Sequence, residues 1–345
     1  MSEAESPEAP KTPTRRQRWV RRLKRVAIGT AIFFVALAIT VGVMVRLALR
    51  ELPPHPDLAR SHEDAVARFE KVRAAEAALP LMPEGRSILM THGRRTEHAV
   101  IFFHGLTNAP FQFEKLAREI HAKGWNVYIP RLPHHGLADR KVSNLSKFTA
   151  AELRDCTDDA CDLAAGLGEQ VVVCGLSAGG VAAAWATQNR PDVDRAVLLA
   201  PATGIVRTSG FFLNRIVFLL FPLLPDIDNS SKDPTIPAHC YPGFSSKALG
   251  EMLRLSAATI GGASRKPAAV DNVALVTSRK DVAINDAVIW HLVSLWRIGG
   301  LPHFEALDFA LDQGVEHDMI DPTQTYQKTD IVYPRILELI EKRPR

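Results

Sequence analysis

The run Val171-Val172-Val173-Cys174 leads into Gly175-Leu176-Ser177-Ala178-Gly179, and this junction constrains the chain more than any other stretch. Apolar, β-branched residues in sequence mark a buried strand, and the small residues Ala178 to Ala186 read as a helix packed tightly on a sheet. A serine on the turn between them takes a strained backbone conformation, so the residues two before and two after it must be nearly free of side chain. Gly175 and Gly179 meet that need. The pattern has the form of a nucleophile elbow and makes Ser177 the candidate nucleophile; the alternative is a glycine-rich turn that carries no chemistry.

The chain around this junction alternates strands and helices. Strands are expected at Ser87 to Thr91 and Ala99 to Phe103, as neighbours joined by the turn Gly93-Arg94-Arg95, and then at Asn126 to Ile129, Gln170 to Cys174, Arg195 to Ala200, Asn272 to Thr277 and Phe304 to Phe309. Helices are expected at Phe111 to Lys123, Phe148 to Leu167, Asn285 to Ile298 and Asp330 to Glu341. Such alternation implies a mainly parallel sheet with helices on both faces. Residues 206–270 depart from it, with a dense apolar stripe from Phe211 to Leu224, and are read as an inserted cap. The stripe is either cap core or the wall of an acyl pocket.

The N-terminal part differs in kind. Met1 to Arg25 carries a net charge of +5 against +4 for the whole chain, leaving −1 for the rest, so the basic character is local. No basic face with interleaved aromatics argues for nucleic acid. Val26 to Val45 holds no charged residue and as a helix spans about 30 Å, the thickness of a bilayer core. It is long for the apolar part of a cleaved leader, and no small-residue cleavage site precedes Arg50-Glu51-Leu52. The expected organisation is therefore a basic cytoplasmic tail (1–25), a single membrane-spanning signal-anchor helix (26–46), a linker with an amphipathic helix at Ser61 to Ala78 (47–84), and a globular domain (85–345). Seven basic residues from Arg15 to Arg25 face two, Arg46 and Arg50, on the other flank, which keeps the N-terminus cytoplasmic and sets the domain in the periplasm or outside the cell.

A serine hydroxyl needs a histidine to take its proton and a carboxylate to hold that histidine. Asp281 follows the strand ending at Thr277, and His317 follows the last strand, giving the order Ser, Asp, His. Asp281 alone would read as a helix N-cap and His317 as a solvated loop residue. Asp308, Asp312, Glu316 and Asp318 are the competing carboxylates, but they sit in or near the histidine's own loop. Ile101 to Thr107 ends a strand in His104-Gly105, a turn able to aim the Leu106 N–H at the serine, with the Ala178 N–H as the second oxyanion donor. His104 is expected to be structural. The four cysteines show no Cys-x-x-Cys or zinc spacing; no structural metal is expected, and Cys156 and Cys161 are read as unpaired.

His104-Gly105-Leu106, Pro133-His134-His135-Gly136, Gly175 to Gly180, Asp281 and His317 together resemble the α/β-hydrolase superfamily, and within it the carboxylesterase and monoacylglycerol-lipase-like group. The resemblance runs from about Arg86 to the C-terminus. It implies the α/β-hydrolase fold, a Ser177-Asp281-His317 triad with no cofactor, and a small-molecule ester or lipid as substrate. Where the family often has Pro-Gly-His-Gly, this chain has His134 in place of the first glycine. The same triad also serves acyl transfer to other alcohols or amines and amide cleavage, and the same scaffold serves binding proteins that have lost a triad member.

Overall fold

The computed structural model describes residues 14–48, 50–205, 220–229 and 236–342, divided into two units, Met1–Ala48 and Leu49–Arg345. Among the described residues, the first unit holds one helix, α1 (Arg15–Ala48). Within it Arg18–Val43 is long and apolar enough, by length and composition, to cross a membrane.

The second unit is built on a seven-stranded sheet in the order β1-β3-β2-β4-β5-β8-β9. Its strands are β1 (Ile88–Met90), β2 (Thr96–Phe103), β3 (Asn126–Ile129), β4 (Gly168–Leu176), β5 (Arg195–Leu199), β8 (Asn272–Ser278) and β9 (His303–Phe309). All pairs are parallel except β1 with β3. β5 and β8 are buried along their whole length, as expected for strands covered on both faces. This is the α/β-hydrolase architecture. One local expectation fails: β1 and β2 are not neighbours, because β3 inserts between them and pairs with both. Short Gly-Arg-Arg connections suggest hairpins, yet here a parallel partner for β2 outcompetes the local one and leaves β1 as an antiparallel edge.

The register determines what meets at one edge. Phe103 lies opposite Gly175, Leu176 opposite Leu199, Leu199 opposite Val276, and Ser278 opposite Phe309. The loops that follow β2, β4, β5, β8 and β9 therefore leave from the same C-terminal edge, where open α/β sheets place their ligands.

Helices α2 (His62–Ala77), α3 (Phe111–His121), α4 (Val142–Leu145), α5 (Ala150–Leu167), α6 (Ala178–Asn189), α7 (Ser246–Ala263), α8 (Asp286–Ile298) and α9 (Thr329–Glu341) complete the described unit. α5 begins with a capping box, in which Thr149 caps the Glu152 N–H and the Glu152 side chain returns to Thr149. The amphipathic α2 packs on α5, with Phe69 edge-to-face on Tyr128. Within the segment expected as a cap, α7 is buried against α5 and α6, while Ile227–Asp228 (β6) and Gly243–Phe244 (β7) form a two-stranded ribbon. Phe211, Phe212, Phe218 and Leu219 of the apolar stripe lie outside the described residues; Leu220, Leu223 and Leu224 are exposed. All four cysteines are free.

A buried charge cluster ties residues 52–59 to α5 and α6. Arg190, fully buried at the end of α6, pairs with Asp158 and Asp162, one turn apart on the same face of α5, and with Asp192. The outer oxygens of the same two α5 carboxylates accept the backbone N–H groups of His55 and Asp57, and the Trp185 indole donates to the Leu52 carbonyl at 2.9 Å. The strap 52–59 is thus fastened by groups that would otherwise be buried without partners. Replacing Arg190 by Met should leave three carboxylates uncompensated and cost about 3–5 kcal/mol of stability. The measurement is a urea denaturation midpoint on the full chain in detergent, and an unchanged midpoint would refute it.

Candidate active site

Ser177 stands between β4 and α6 with φ 57° and ψ −111°, outside the regions that side-chain-bearing residues favour. The turn is possible because of its glycines. A Cβ on Gly175 would lie 2.0 Å from the Gly179 carbonyl oxygen, and one on Gly179 would lie 1.9 Å from the Phe103 carbonyl oxygen. Hydrogen bonds hold the strained residue in place: its N–H donates to Leu199 O, and its carbonyl accepts from the N–H groups of Val181 and Ala202. Ala178, the first residue of α6, carries one of the N–H groups that a helix start leaves without an intrahelical acceptor.

Asp281 and His317 meet from separate loops. Asp281, nearly fully buried after β8, has its Oδ2 at 2.6 Å from His317 Nδ1, while Oδ1 accepts the Ala283 N–H at 2.8 Å. Burial alone would raise the Asp281 carboxyl, but the hydrogen bond and charge of His317 outweigh it and hold it below the usual range. For His317 the signs reverse. Enclosure would lower its imidazole, and the Asp281 hydrogen bond and charge, with Asp318 adding, raise it above its ordinary value. Nδ1 is engaged by a carboxylate, which leaves Nε2 as the nitrogen free to exchange a proton.

Three of the competing carboxylates, Asp308, Glu316 and Asp318, are committed elsewhere. Asp308 binds Arg279 at 2.9 Å and the Thr277 hydroxyl at 3.0 Å, and Glu316 pairs with Lys280 at 2.7 Å. Asp318 turns the other way, onto the side chains of Asn108, Gln112 and Gln324. Burial and the neighbouring Asp321 push its carboxyl up, against the pull of the donors from Gln324 and Gln112.

Ser177 and His317 line one cavity of about 430 Å³ with Leu106, Phe221, Met252 and Ile284 among its apolar walls. Thr107, Asn108, Gln112 and Asp318 also line it, together with Ser177 and His317. The loop after β2 comes close to the serine, since a Cβ on Gly105 would lie 3.8 Å from Ser177 Cβ. His104 is structural. Its Nε2 accepts the Leu132 N–H at 3.1 Å, so its proton sits on Nδ1 and is donated to Gly105 O at 2.9 Å. Burial holds it well below the ordinary value, hence neutral. His135 is equally buried, lowered to about 4 by loss of water, and places its ring nitrogens at Pro133 O (2.8 Å) and Leu106 O (2.6 Å).

The departure at His134 has a physical reading. His134 adopts φ 64°, the left-handed conformation for which a glycine is the ordinary residue, and its Nε2 lies 3.0 Å from Glu152 Oε1. The turn thus holds a side-chain-bearing residue in a strained conformation. Gly136, at φ 73°, has no such freedom: a Cβ there would lie 2.4 Å from the Gly85 carbonyl oxygen.

His239, Cys240 and Asp321 form a further buried group, but His239 Nε2 and Asp321 Oδ2 are already at hydrogen-bond distance, 2.7 Å. Asn108, Gln112 and Asp318 were not singled out as site residues by motif. Their only trace in the sequence is two amides, one in the loop after β2 and one at the start of α3, and an acid whose partners among them lie over 200 residues away.

No curated protein sequence matches the chain. Among solved structures it is similar to an enzyme reported with LipS and LipT, two metagenome-derived lipolytic enzymes (19% identity, TM-score 0.54, 76% of this chain and 100% of that one). It is also similar to the monoacylglycerol lipase of Paleococcus ferrophilus (18%, 0.54, 74% and 97%) and to a soluble variant of monoglyceride lipase from Saccharomyces cerevisiae solved with a substrate analogue (12%, 0.55, 74% and 91%). At these identities the likeness establishes the fold. The sequence itself matches the alpha/beta hydrolase family over residues 100–330, about two thirds of its length, and the chain belongs to that family.

Proposed function

We propose that this protein is a membrane-anchored serine hydrolase that cleaves carboxylic esters of apolar or lipid-like acyl groups. The observation that carries the reading is the 2.6 Å contact of Asp281 with His317 Nδ1, at a histidine that shares an apolar-walled cavity with the strained Ser177. In this mechanism Ser177 Oγ attacks the ester carbonyl carbon while His317 Nε2 takes the hydroxyl proton. The Leu106 and Ala178 N–H groups receive the negative charge that forms on the carbonyl oxygen. His317 then gives its proton to the departing alkoxide, which leaves as the alcohol. Water, deprotonated by His317, attacks the acyl carbon, and His317 returns the proton to Ser177 Oγ as the acid is released. Asp281 stays ionised throughout and stabilises the imidazolium.

The apolar lining suits an acyl chain, and the lipolytic enzymes among the structural relatives support an ester as substrate. α1 is read as the anchor. The excess of arginine and lysine before its apolar part favours a cytoplasmic N-terminus and an outward-facing hydrolase domain.

Ser177→Ala should lower ester turnover by about a million-fold and abolish labelling by a fluorophosphonate; full activity in that variant would refute the assignment. Asp281→Asn should cost about ten-thousand-fold with the fold retained. The base must be neutral to act, so kcat/KM should fall as pH drops through the raised pKa of His317, with the acid limb above pH 6.5. In Asp281→Asn that limb should move to lower pH, and an unmoved limb would show that another group sets it. Protease added to cells stripped of any outer envelope but with the plasma membrane intact should digest the hydrolase domain and spare the N-terminal tail; a protected domain would reverse the topology.

A further inference from the structure

Leu106 can serve as an oxyanion donor only if the peptide unit joining it to Gly105 is held in one orientation. A peptide is planar and trans, so its N–H points opposite to its C=O. The carbonyl of this unit, Gly105 O, accepts from His104 Nδ1 and from the Asn108 backbone N–H at 3.1 Å. On the other side of the same residue, the Gly105 N–H donates to Gln112 Oε1 at 2.8 Å. Glycine has no side chain to restrict its own backbone, so these external bonds must do so.

Both clamps lead to Asp318. Gln112 Nε2 donates to Asp318 Oδ1 at 2.8 Å, and Asn108 Nδ2 donates to Oδ2 at 3.1 Å. Gln324 Nε2 at 2.9 Å and the Asp321 N–H at 3.3 Å complete four donors for the two carboxylate oxygens. The amides have no freedom to flip. Gln112 has a backbone donor at one end and a carboxylate at the other, and Asn108 Oδ1 accepts the Ala109 N–H at 2.9 Å, so each can present only its nitrogen to Asp318. Asn108 and Gln112 are themselves buried, where an unpaired amide would be costly. Asp318 directly follows His317 in the chain, so the loop that brings the base also carries the anchor of the oxyanion loop.

Resting on the serine-hydrolase reading, we propose that Asp318 is a positioning residue that couples the His317 loop to the oxyanion donor at Leu106 through Gln112 and Asn108. It acts on the transition state rather than on substrate. With all four of its acceptor sites occupied, it has none left to offer a ligand.

The test uses the full chain in detergent with an aryl ester. Asp318→Asn turns an acceptor into a donor facing donors, and Gln112→Met removes the link while keeping the side chain's length. Each should lower kcat about 10- to 100-fold, less than the loss of an oxyanion donor outright, with KM changed less than about twofold. Affinity for a trifluoromethyl ketone, which mimics the tetrahedral intermediate, should fall in step with kcat/KM. The double variant should be no worse than the poorer single one, because both break the same chain of bonds. If Asp318→Asn does not fold, the kcat and ketone losses of Gln112→Met decide the matter. Variants that keep kcat within twofold, losses that appear in KM alone, or losses that multiply in the double variant would overturn the coupling while an active wild type leaves the serine-hydrolase reading standing. A wild type that neither turns over esters nor takes up a fluorophosphonate would overturn both.

Discussion

The structure depends on the close approach of three backbones at the end of β4. The carbonyl of Phe103 at the end of β2, the turn at Gly175, and the first turn of α6 at Gly179 converge to distances that no Cβ could enter. That crowding allows Ser177 to be held at φ 57°, because its N–H and carbonyl are both engaged by the neighbouring β5 strand end and the Ala202 N–H. Strain at one residue persists only when its surroundings over-determine it. Here they do so in the middle of a sheet whose central strands are buried on both faces.

Two kinds of polar interior are built on that frame. The cluster around Arg190 sits at the C-terminal end of α6, the helix that starts at the elbow, and it fixes the strap 52–59 against the domain. The network around Asp318 lies on the cavity side and joins the loops after β2 and β9. Both place carboxylates where several N–H groups converge, which compensates their loss of water. In the Arg190 cluster the compensation is a counter-charge; at Asp318 it comes from neutral amides and a backbone N–H, so that carboxylate is the more dependent on exact placement.

Much of this was legible in the chain. Ser177, Asp281 and His317 each follow a separate strand, and parallel strands carry their following loops to one edge, so their neighbourhood could be read from order alone. His104 was recognisable as structural because it ends a buried strand. Less could be read where partners are chosen by the whole sheet: Ile88 to Met90 has the local signals of a hairpin with β2, but β3 supplies the better-covered partner. His134 shows another limit. A histidine in a glycine position gives no local sign of the left-handed backbone it must adopt, because the surrounding contacts impose it.

The amino-acid sequence by itself determined the elements, the alternating order that makes a parallel sheet, the glycine spacing that permits the elbow, and the membrane-length apolar helix. These rest on periodicity, side-chain size and chain order, all local properties. Only the tertiary structure decided that Asp318, rather than serving His317, turns to Asn108 and Gln112, and that Arg190 gathers Asp158, Asp162 and Asp192. Which acid meets which donor depends on how buried groups are satisfied once the sheet has closed, and no spacing along the chain records that pairing.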